Sequence, residues 1–199
     1  ILLLSIIVFS FTTSTLLYGQ VVINELMIEP FNPDFGEIFS EYIELANYGE
    51  ESINLQYWSI ETNTGSETIS SSLVIEPGEY ILLGNSSNTT LTLGVEMDYD
   101  WGFGSQIGEL NNFSDDIRLY NNNGELADQV FYDAESWPDL YGTSMEKLNP
   151  ALDGNNPINW AAATVVYDSQ LNMGSPGAEN SVLVEVPDIV FASNLIEFG

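Results

Sequence analysis

Apolar and polar residues alternate along most of the chain from Val21 onward, and turn-forming residues interrupt the alternation roughly every eight to twelve residues. In residues 41–47, for example, Ile43 and Leu45 share one face of the predicted strand. A period of two with frequent turns is typical of β-sandwiches. No window shows a sustained 3.6-residue period, so the pattern predicts an all-β fold with little helix.

The alternation and the turn residues together place the predicted strands along the chain. These strands cover residues 21–28, 41–47, 53–60, 73–75, 80–83, 116–120, 125–132 and 144–148. Pro77 and Gly78 predict a turn before the strand at 80–83. Residues 84–112 are rich in Asn, Ser, Thr and Gly and predict a long loop with at most one short strand.

The clearest hairpin is predicted between residues 116–120 and 125–132. The two strands flank the sequence NNNG, in which Asn123 and Gly124 suit the two central positions of a type I′ turn. Arg118 lies in the middle of the first of these strands, and we expect it to form an ion pair across the hairpin.

The two ends differ in character from the middle of the chain. Residues 1–11 (ILLLSIIVFSF) are apolar, and no charge precedes Glu25, which predicts a signal peptide over residues 1–19 with cleavage near Gly19. The alternative is a buried or membrane-anchoring segment. We therefore expect an exported protein, at the cell surface or secreted, with one domain over residues 20–181. Residues 182–199 are expected to form a linker and the first strand of a following, truncated domain.

The charge balance limits the classes of partner. Thirty Asp and Glu residues face only two basic residues, Arg118 and Lys147, which gives a net charge of −28. A chain with two cations is not suited to bind nucleic acid or anionic lipid surfaces. Divalent cations and basic proteins remain suitable partners, and the alternative is that the acids serve only solubility. After signal cleavage we expect no membrane insertion.

A family resemblance follows from motifs that occur in order along the chain. They are VVINELMIEP (21–30), EYIELANYGEESINLQYWSI (41–60), IEPGEYILLGN (75–85), DDIRLYNNNGELADQVFYD (115–133), SMEKLNP (144–150), NWAAA (159–163) and GSPGAENS (174–181). The ordered set resembles the bacterial lamin tail domain, over about residues 21–181. The C-terminal PDIVFASNLIEFG resembles the opening strand of hydin-like immunoglobulin-type domains.

The resemblance implies an immunoglobulin-like β-sandwich, in bacteria usually secreted and joined to adhesion modules, sorting signals and sometimes nucleases or other hydrolases. The family has no established catalytic residues to carry over. The related domain of nuclear lamins is basic in places and binds nuclear partners. This chain is acidic, so nuclear or DNA-related roles do not transfer to it.

Nucleophilic catalysis has little support in the sequence. The chain has no histidine and no cysteine, which removes the commonest general base, disulfides and thiolate metal sites together. Ser144 and Lys147 are three residues apart, which on a strand puts them on opposite faces. We expect Lys147 to be a surface residue paired with local acids. No catalytic residue and no required cofactor are predicted.

Calcium is the more plausible ligand, because it binds oxygen atoms from loops. The candidate groups are Asp98 with Asp100, Asp133 with Glu135 and Asp139, and Glu29 with Asp34 and Glu37. Residues 153–156 (DGNN) resemble a fragment of a calcium loop but are explained more simply by a turn. The alternative for all of these acids is a solvated loop position, so the metal site stays open.

Aromatic and asparagine residues give the remaining candidates. Trp101, Trp137 and Tyr141 lie in predicted loops, where they would either stack on sugars or close the ends of the core. Trp58 and Trp160 are expected in the core. The sequons at Asn85, Asn88 and Asn112 matter only in a glycosylating host.

The sequence therefore predicts a non-catalytic scaffold or adhesion module of a secreted or cell-surface multidomain bacterial protein. Its expected partners are other domains of the same chain, proteins or surface glycans. The alternative is a calcium-dependent or carbohydrate-binding module attached to a secreted hydrolase or nuclease.

Overall fold

A computed structural model describes residues 20–102, 104–138 and 141–184. The predicted signal peptide and most of the predicted following domain lie outside these residues. The strands are β1 (Val21–Met27), β2 (Tyr42–Asn47), β3 (Ile53–Asn54), β4 (Ser59–Glu61), β5 (Ser66–Thr68), β6 (Val74–Ile75), β7 (Tyr80–Gly84), β8 (Tyr99–Asp100), β9 (Ser114–Tyr120), β10 (Leu126–Asp133), β11 (Met145–Lys147) and β12 (Trp160–Ala162). The helical elements of the described residues are two 3₁₀ turns, Glu37–Phe39 and Pro157–Asn159.

Two main sheets face each other across the core. One has the order β12-β11-β1-β2-β7-β8 and the other the order β10-β9-β4-β5, with a separate pair formed by β3 and β6. Neighbouring strands are antiparallel except β7 and β8, which are parallel. The prediction of an all-β, immunoglobulin-like sandwich is confirmed.

The core lies between the inward faces of the two sheets. Ile43 and Leu45 of β2 and Ile117 and Leu119 of β9 belong to one buried apolar cluster, as their alternation predicts. Trp58 and Trp160 belong to the same cluster, as expected.

A β-bulge in β1 decides which side chains of that strand face outward. The register with β2 shifts between Ile23 and Glu25, so Asn24 is the extra residue. The bulge lets Ile23 and Leu26 both reach the core, although they are three residues apart. Glu25 then lies on the outer face of the sheet, directly opposite Glu44 of β2.

The single strand predicted over residues 53–60 is wrong, because a turn divides it into β3 and β4. The Trp58 amide donates to the Leu55 carbonyl at 3.0 Å, and Tyr57 has a positive φ of 68°. The turn lets Leu55 and Trp58 both enter the core. β3 pairs with β6, whereas β4 pairs with β5 and β9.

The hairpin of β9 and β10 is confirmed, but its predicted type I′ turn is wrong. A type I′ turn needs a positive φ at both central residues, and of Asn123 and Gly124 only Gly124 has one, at 77°. The Gly124 amide donates to the Asn121 carbonyl at 2.9 Å. The Asn121 side chain accepts from the amides of Asn123 and Glu125, which fixes this longer loop.

The long loop predicted over residues 84–112 is confirmed for the described part of that range. It contains one short strand, β8.

Candidate functional site: a buried glutamate row and its cover

Three glutamates form a row across the outer face of the six-stranded sheet. Glu25 of β1 pairs in register with Glu146 of β11 on one side and with Glu44 of β2 on the other. All three have a relative exposure of 0%. Their side chains, here called the glutamate row, therefore lie under other parts of the chain rather than in solvent.

Residues 174–182, here called the cover segment, lie over the row and donate hydrogen bonds into it. Glu25 Oε1 accepts from the Ser175 amide at 3.0 Å. Glu44 Oε2 accepts from the Gly177 amide at 2.7 Å. Glu146 Oε2 accepts from the Ser181 hydroxyl at 2.8 Å and from the Val182 amide at 3.1 Å. The motif GSPGAENS is thus the part of the chain that binds the row.

The sheet also supplies donors to the row. Glu25 Oε1 accepts from the hydroxyls of Tyr42 and Ser144, both at 2.6 Å. Glu44 Oε1 accepts from the Asn24 side chain at 2.9 Å, which is available because the bulge turns Asn24 to this face. Buried carboxyl groups need such donors, because an unpartnered buried charge is costly.

Gly174 allows the cover segment to approach Glu25 closely. A Cβ atom at this position would lie 2.7 Å from Glu25 Oε1 and 2.7 Å from the Tyr42 hydroxyl oxygen. A side chain at position 174 would therefore displace either the carboxyl group or the segment.

Burial changes the acidity of the row. Removal from water raises the pKa of Glu25, while its hydrogen bonds with Ser144 and Tyr42 oppose that shift. Burial also raises the pKa of Glu44 well above its usual value, and the charge of Glu25 adds to the shift.

Glu41 is a fourth buried glutamate, and its surroundings differ. Its exposure is 0%, Oε2 accepts one hydrogen bond from the Leu110 amide at 2.9 Å, and Oε1 has no partner. Burial, with smaller contributions from Glu109 and Glu37, raises the pKa of Glu41 to about 9. Glu41 is therefore a neutral acid at neutral pH.

Sequence reasoning missed these four residues, because a glutamate in an alternating strand is normally solvent-exposed. The signal was present in the motif GSPGAENS, whose small and hydroxyl-bearing residues suit close contact with carboxyl groups.

Lys147 was expected at the surface, which is wrong, since its exposure is 0%. Its ammonium group lies 3.3 Å from Asp128 Oδ2 and 5.8 Å from the centre of the Trp160 ring. The expected pairing with an acid is therefore present, but in the interior. Burial lowers the pKa of Lys147, and Asp128 opposes that shift. Ser144 binds Glu25 instead, on the opposite face of β11, as the spacing predicts.

Arg118 was expected to pair across the hairpin, which is wrong. It pairs with Asp116, two residues earlier on the same strand and on the same face. Across the hairpin, Asp116 accepts from the Gln129 side chain at 2.6 Å.

The calcium candidates lie apart or hold their own loops. Asp98 accepts from the Leu82 amide, and Asp100 accepts from the amides of Ser87 and Gly102. Asp133 accepts from Ser136, which with neighbouring amides lowers its pKa.

The remaining acids that the sequence offered as calcium ligands do not come together as a metal site among the described residues. Glu135 and Asp34 are exposed, Glu37 accepts from the Asn112 side chain at 3.3 Å, and Asp139 lies outside the described residues. Burial and the charge of Glu37 raise the pKa of Glu29. Within the described ranges, no three His, Cys, Asp or Glu side chains are grouped so that they could hold a metal ion.

Residues 153–156 form a turn that covers the free edge of β10. The Asp153 side chain accepts from the Asn155 amide at 3.0 Å, and Asn155 Oδ1 accepts from the Phe131 amide at 2.7 Å. An unpaired strand edge invites association with other chains, so Asn155 protects this edge.

The loop tryptophans are core residues. Trp101 and Trp137 are each 7% exposed and belong to the core cluster, and the Trp137 ring centre lies 5.8 Å from that of Trp160. They are not positioned to stack on a sugar. Asn85, the first sequon, is 2% exposed and binds the Ile38 and Gly108 carbonyls, so it is not accessible to glycosylation. Asn88 is exposed and Asn112 is partly exposed.

Tyr141 is the candidate aromatic residue that faces solvent, with 60% exposure. Its ring meets that of Phe31 edge-on at 5.8 Å, and Phe31 is 37% exposed. Asn172 binds both backbone groups of Phe31, at 2.7 and 3.0 Å, and next to it Leu171 is 72% exposed with a positive φ of 67°. We call Phe31, Tyr141 and Leu171 the apolar patch.

No helix among the described residues has the length and apolar character that a membrane crossing requires.

Comparison with known proteins is consistent with this architecture. The family model of the Lamin Tail Domain matches residues 16–134, more than half of the 199-residue chain. The later motifs, including the cover segment, lie beyond the matched range, although β11 and β12 complete the same sheet as β1. No curated protein matches the chain. An immunoglobulin-like domain of this family is consistent with a non-catalytic interaction module. The chain belongs to the lamin tail domain family.

Proposed function

We propose that this protein is a non-catalytic interaction module, a scaffold or adhesion unit, of a secreted or cell-surface multidomain bacterial protein. Its partners are other domains of the same chain, proteins or surface glycans, and nucleic acid is not among them. The observation that carries the proposal is the contrast between the glutamate row and the apolar patch. The row is covered and hydrogen-bonded by the chain itself, whereas the side chains of the patch are left in solvent.

The chemistry of the chain supports a passive role. It contains no histidine or cysteine, and its one lysine is buried against Asp128. Ser144 has no solvent exposure, and its hydroxyl donates to Glu25 beneath the cover segment, so it is not accessible as a nucleophile.

The apolar patch supports a binding role. Aromatic side chains fixed by their surroundings lose little entropy when a partner covers them, which is why they dominate many interfaces. Asn172 fixes the backbone of Phe31, and Asp168 in turn accepts from the Asn172 amide at 2.9 Å and from its side chain at 2.7 Å. The backbone at Phe31 and the Asn172 side chain are thus fixed before any partner arrives.

The experiment is photo-crosslinking in the native host, with a photoreactive phenylalanine analogue at position 141 of the full-length protein. The matched control carries the analogue at Ile158, which is 74% exposed and outside the patch. We expect a discrete cross-linked species from position 141 and none from position 158. Equal labelling at both positions, or hydrolytic turnover by the purified protein, would contradict the proposal.

A carbohydrate-binding accessory module is the second candidate, and the exposed pair of Tyr141 and Phe31 favours it over the calcium-dependent version. A glycan panel separates the two functions. Binding that Tyr141→Ala abolishes, with no protein cross-link from position 141, would favour the accessory module. Calorimetric titration with Ca²⁺ tests the calcium-dependent version directly.

A further inference from the structure

Ser175 contacts two buried carboxyl groups with a single hydroxyl proton. Its Oγ lies 3.2 Å from Glu25 Oε2 and 2.8 Å from Glu146 Oε1. A hydroxyl donates one hydrogen bond, so it cannot donate to both oxygens at once. Two ionised carboxylates facing one hydroxyl would leave one oxygen without a donor. One of the two contacts therefore needs a proton that belongs to a carboxyl group.

The position of Glu25 makes it the better site for that proton. Glu25 is the central member of the glutamate row and has a carboxyl neighbour on each side, Glu44 and Glu146. Glu146 has a row neighbour on one side only, because β12 places Ala161 opposite it. Like charges repel, so neutralising the central member removes more repulsion than neutralising an end member.

Neither of the two basic side chains offsets the row. The two basic side chains are bound elsewhere, Arg118 to Asp116 and Lys147 to Asp128. The other titratable groups near the row are Tyr42 of β2, Tyr80 of β7, Tyr167, and Glu179 of the cover segment. None of these four side chains becomes a cation.

We infer that Glu25 carries a proton at neutral pH and donates it to Ser175, which donates onward to Glu146, and that this proton keeps the cover segment bound to the sheet. Loss of the proton leaves neighbouring negative charges under the segment and removes one hydrogen bond that holds it. The segment then opens as the pH rises.

The cover segment is the part that opens because few backbone bonds hold it to the rest of the domain. Within it, the Ala178 amide donates to the Ser175 carbonyl, which is a local turn. At its start the Gly174 amide donates to the Val165 carbonyl at 2.8 Å. Strands β1, β2 and β11, in contrast, keep their ladder bonds and their core face whatever the charge of the row.

The direction of the pH effect follows from the acidity of the row. Burial raises the pKa of Glu25 and, further, that of Glu44 from the ordinary value of 4.5. Between the ordinary and the raised values the open segment has ionised glutamates and the closed segment has protonated ones. Closure takes up one or two protons in that window, so the opening equilibrium rises about tenfold to a hundredfold per pH unit.

Hydrogen exchange measured by mass spectrometry on the full chain tests this device, from about pH 5 to about pH 9 with correction for the intrinsic exchange rate. We expect protection of residues 174–182 to fall about tenfold to a hundredfold per pH unit until the raised pKa values are passed. The hairpin of β9 and β10 carries core residues and reports global unfolding, so its protection should stay above that of residues 174–182 at every pH.

Two variants separate the effect of the Glu25 proton on protection from the effect of the other hydrogen bonds of the cover segment. Glu25→Gln resembles the neutral acid and places an amide donor toward Ser175, so the segment should stay protected and its pH dependence should lose the contribution of Glu25, about tenfold per pH unit. Ser181→Ala is the control, because it removes one bond to Glu146 and leaves the Ser175 contacts in place. It should lower protection by a similar factor at every pH and keep the wild-type slope.

Three results would overturn the inference. The first is protection of residues 174–182 that does not change with pH in the wild type, or that equals the protection of the hairpin at every pH. The second is a wild-type slope in Glu25→Gln. The third is a Glu25→Gln protein that does not fold, since an isosteric neutral side chain should be tolerated where a neutral acid is native.

Discussion

Glu25 and Glu41 are both glutamates without solvent exposure, but their surroundings differ. Glu25 accepts hydrogen bonds from Tyr42, Ser144 and Ser175, and these contacts join three separate parts of the chain. Glu41 accepts one bond, from Leu110, and keeps one oxygen without a partner. The same side chain thus organises the structure at one place and only costs stability at the other, because the supply of donors differs.

The largest expected effect comes from filling the space beside Glu25. Gly174→Ala would put a Cβ atom 2.7 Å from Glu25 Oε1 and from the Tyr42 hydroxyl, and we expect a loss of about 3 kcal/mol in the free energy of unfolding. Urea denaturation measures it. The control is Gly177→Ala, where a Cβ atom meets nothing within 4 Å but φ is +76°. That backbone conformation alone should cost about 1 kcal/mol, and equal losses in the two variants would refute close packing at Gly174.

Glu41→Gln should act in the opposite direction and stabilise the protein. The pKa of Glu41 is raised from 4.5 to about 9, so the unfolded chain releases this proton near pH 4.5 and the folded chain keeps it to about pH 9. Stability is therefore complete below pH 4.5 and falls as the pH rises toward 9. Near pH 7 the substitution should recover about 3 kcal/mol.

The pH dependence of unfolding checks this prediction. The gain from Glu41→Gln should be small near pH 4.5 and grow with pH. A Glu109→Gln variant is the control, since Glu109 contributes to the shift of Glu41 only through its charge. A gain that is independent of pH would show that Glu41 is ionised in the folded protein.

A smaller effect is expected at the edge of β10, where one hydrogen bond between neutral groups satisfies the Phe131 amide. Asn155→Ala removes the partner of the Phe131 amide and should cost about 1 kcal/mol. Asn122→Ala in the exposed hairpin loop is the matched control. Equal unfolding midpoints for the two variants would mean that the edge is not protected by Asn155.

The smallest effect is expected for an ion pair in solvent. Arg118→Ala removes the pair with Asp116, in which the Arg118 side chain is 35% exposed, and should cost about 0.5 kcal/mol or less. The difference from wild type should disappear in about 1 M salt, because salt screens exposed charges. A loss of several kcal/mol in the free energy of unfolding would show that this pair stabilises the fold as a buried ion pair does.

The alternating pattern was sufficient to predict the sandwich and strands such as β2, β9 and β10, because each of these strands has one face in the core. It was not sufficient for β1, because the bulge at Asn24 changes which residues of Val21–Met27 point inward. The turn at Tyr57 was missed because apolar residues on either side of it resemble one continuous strand.

The candidate site was harder to predict than the fold. The burial of Glu25, Glu44 and Glu146 depends on a segment that is more than 130 residues away in sequence from the first two, and local patterns do not carry such information. Lys147 was misplaced for the same reason, since its partner Asp128 belongs to the opposite sheet. A position in a predicted loop did not separate exposed Tyr141 from buried Trp101 and Trp137, because the contacts that bury the tryptophans come from distant parts of the chain.

Carbon-detected NMR titration of the glutamate carboxyl groups tests most directly whether burial keeps Glu41 protonated at neutral pH. At neutral pH the Glu41 carbon should have the chemical shift of a protonated acid and should change with a midpoint near pH 9. A Glu41 carbon with the chemical shift of a carboxylate at neutral pH would contradict the account.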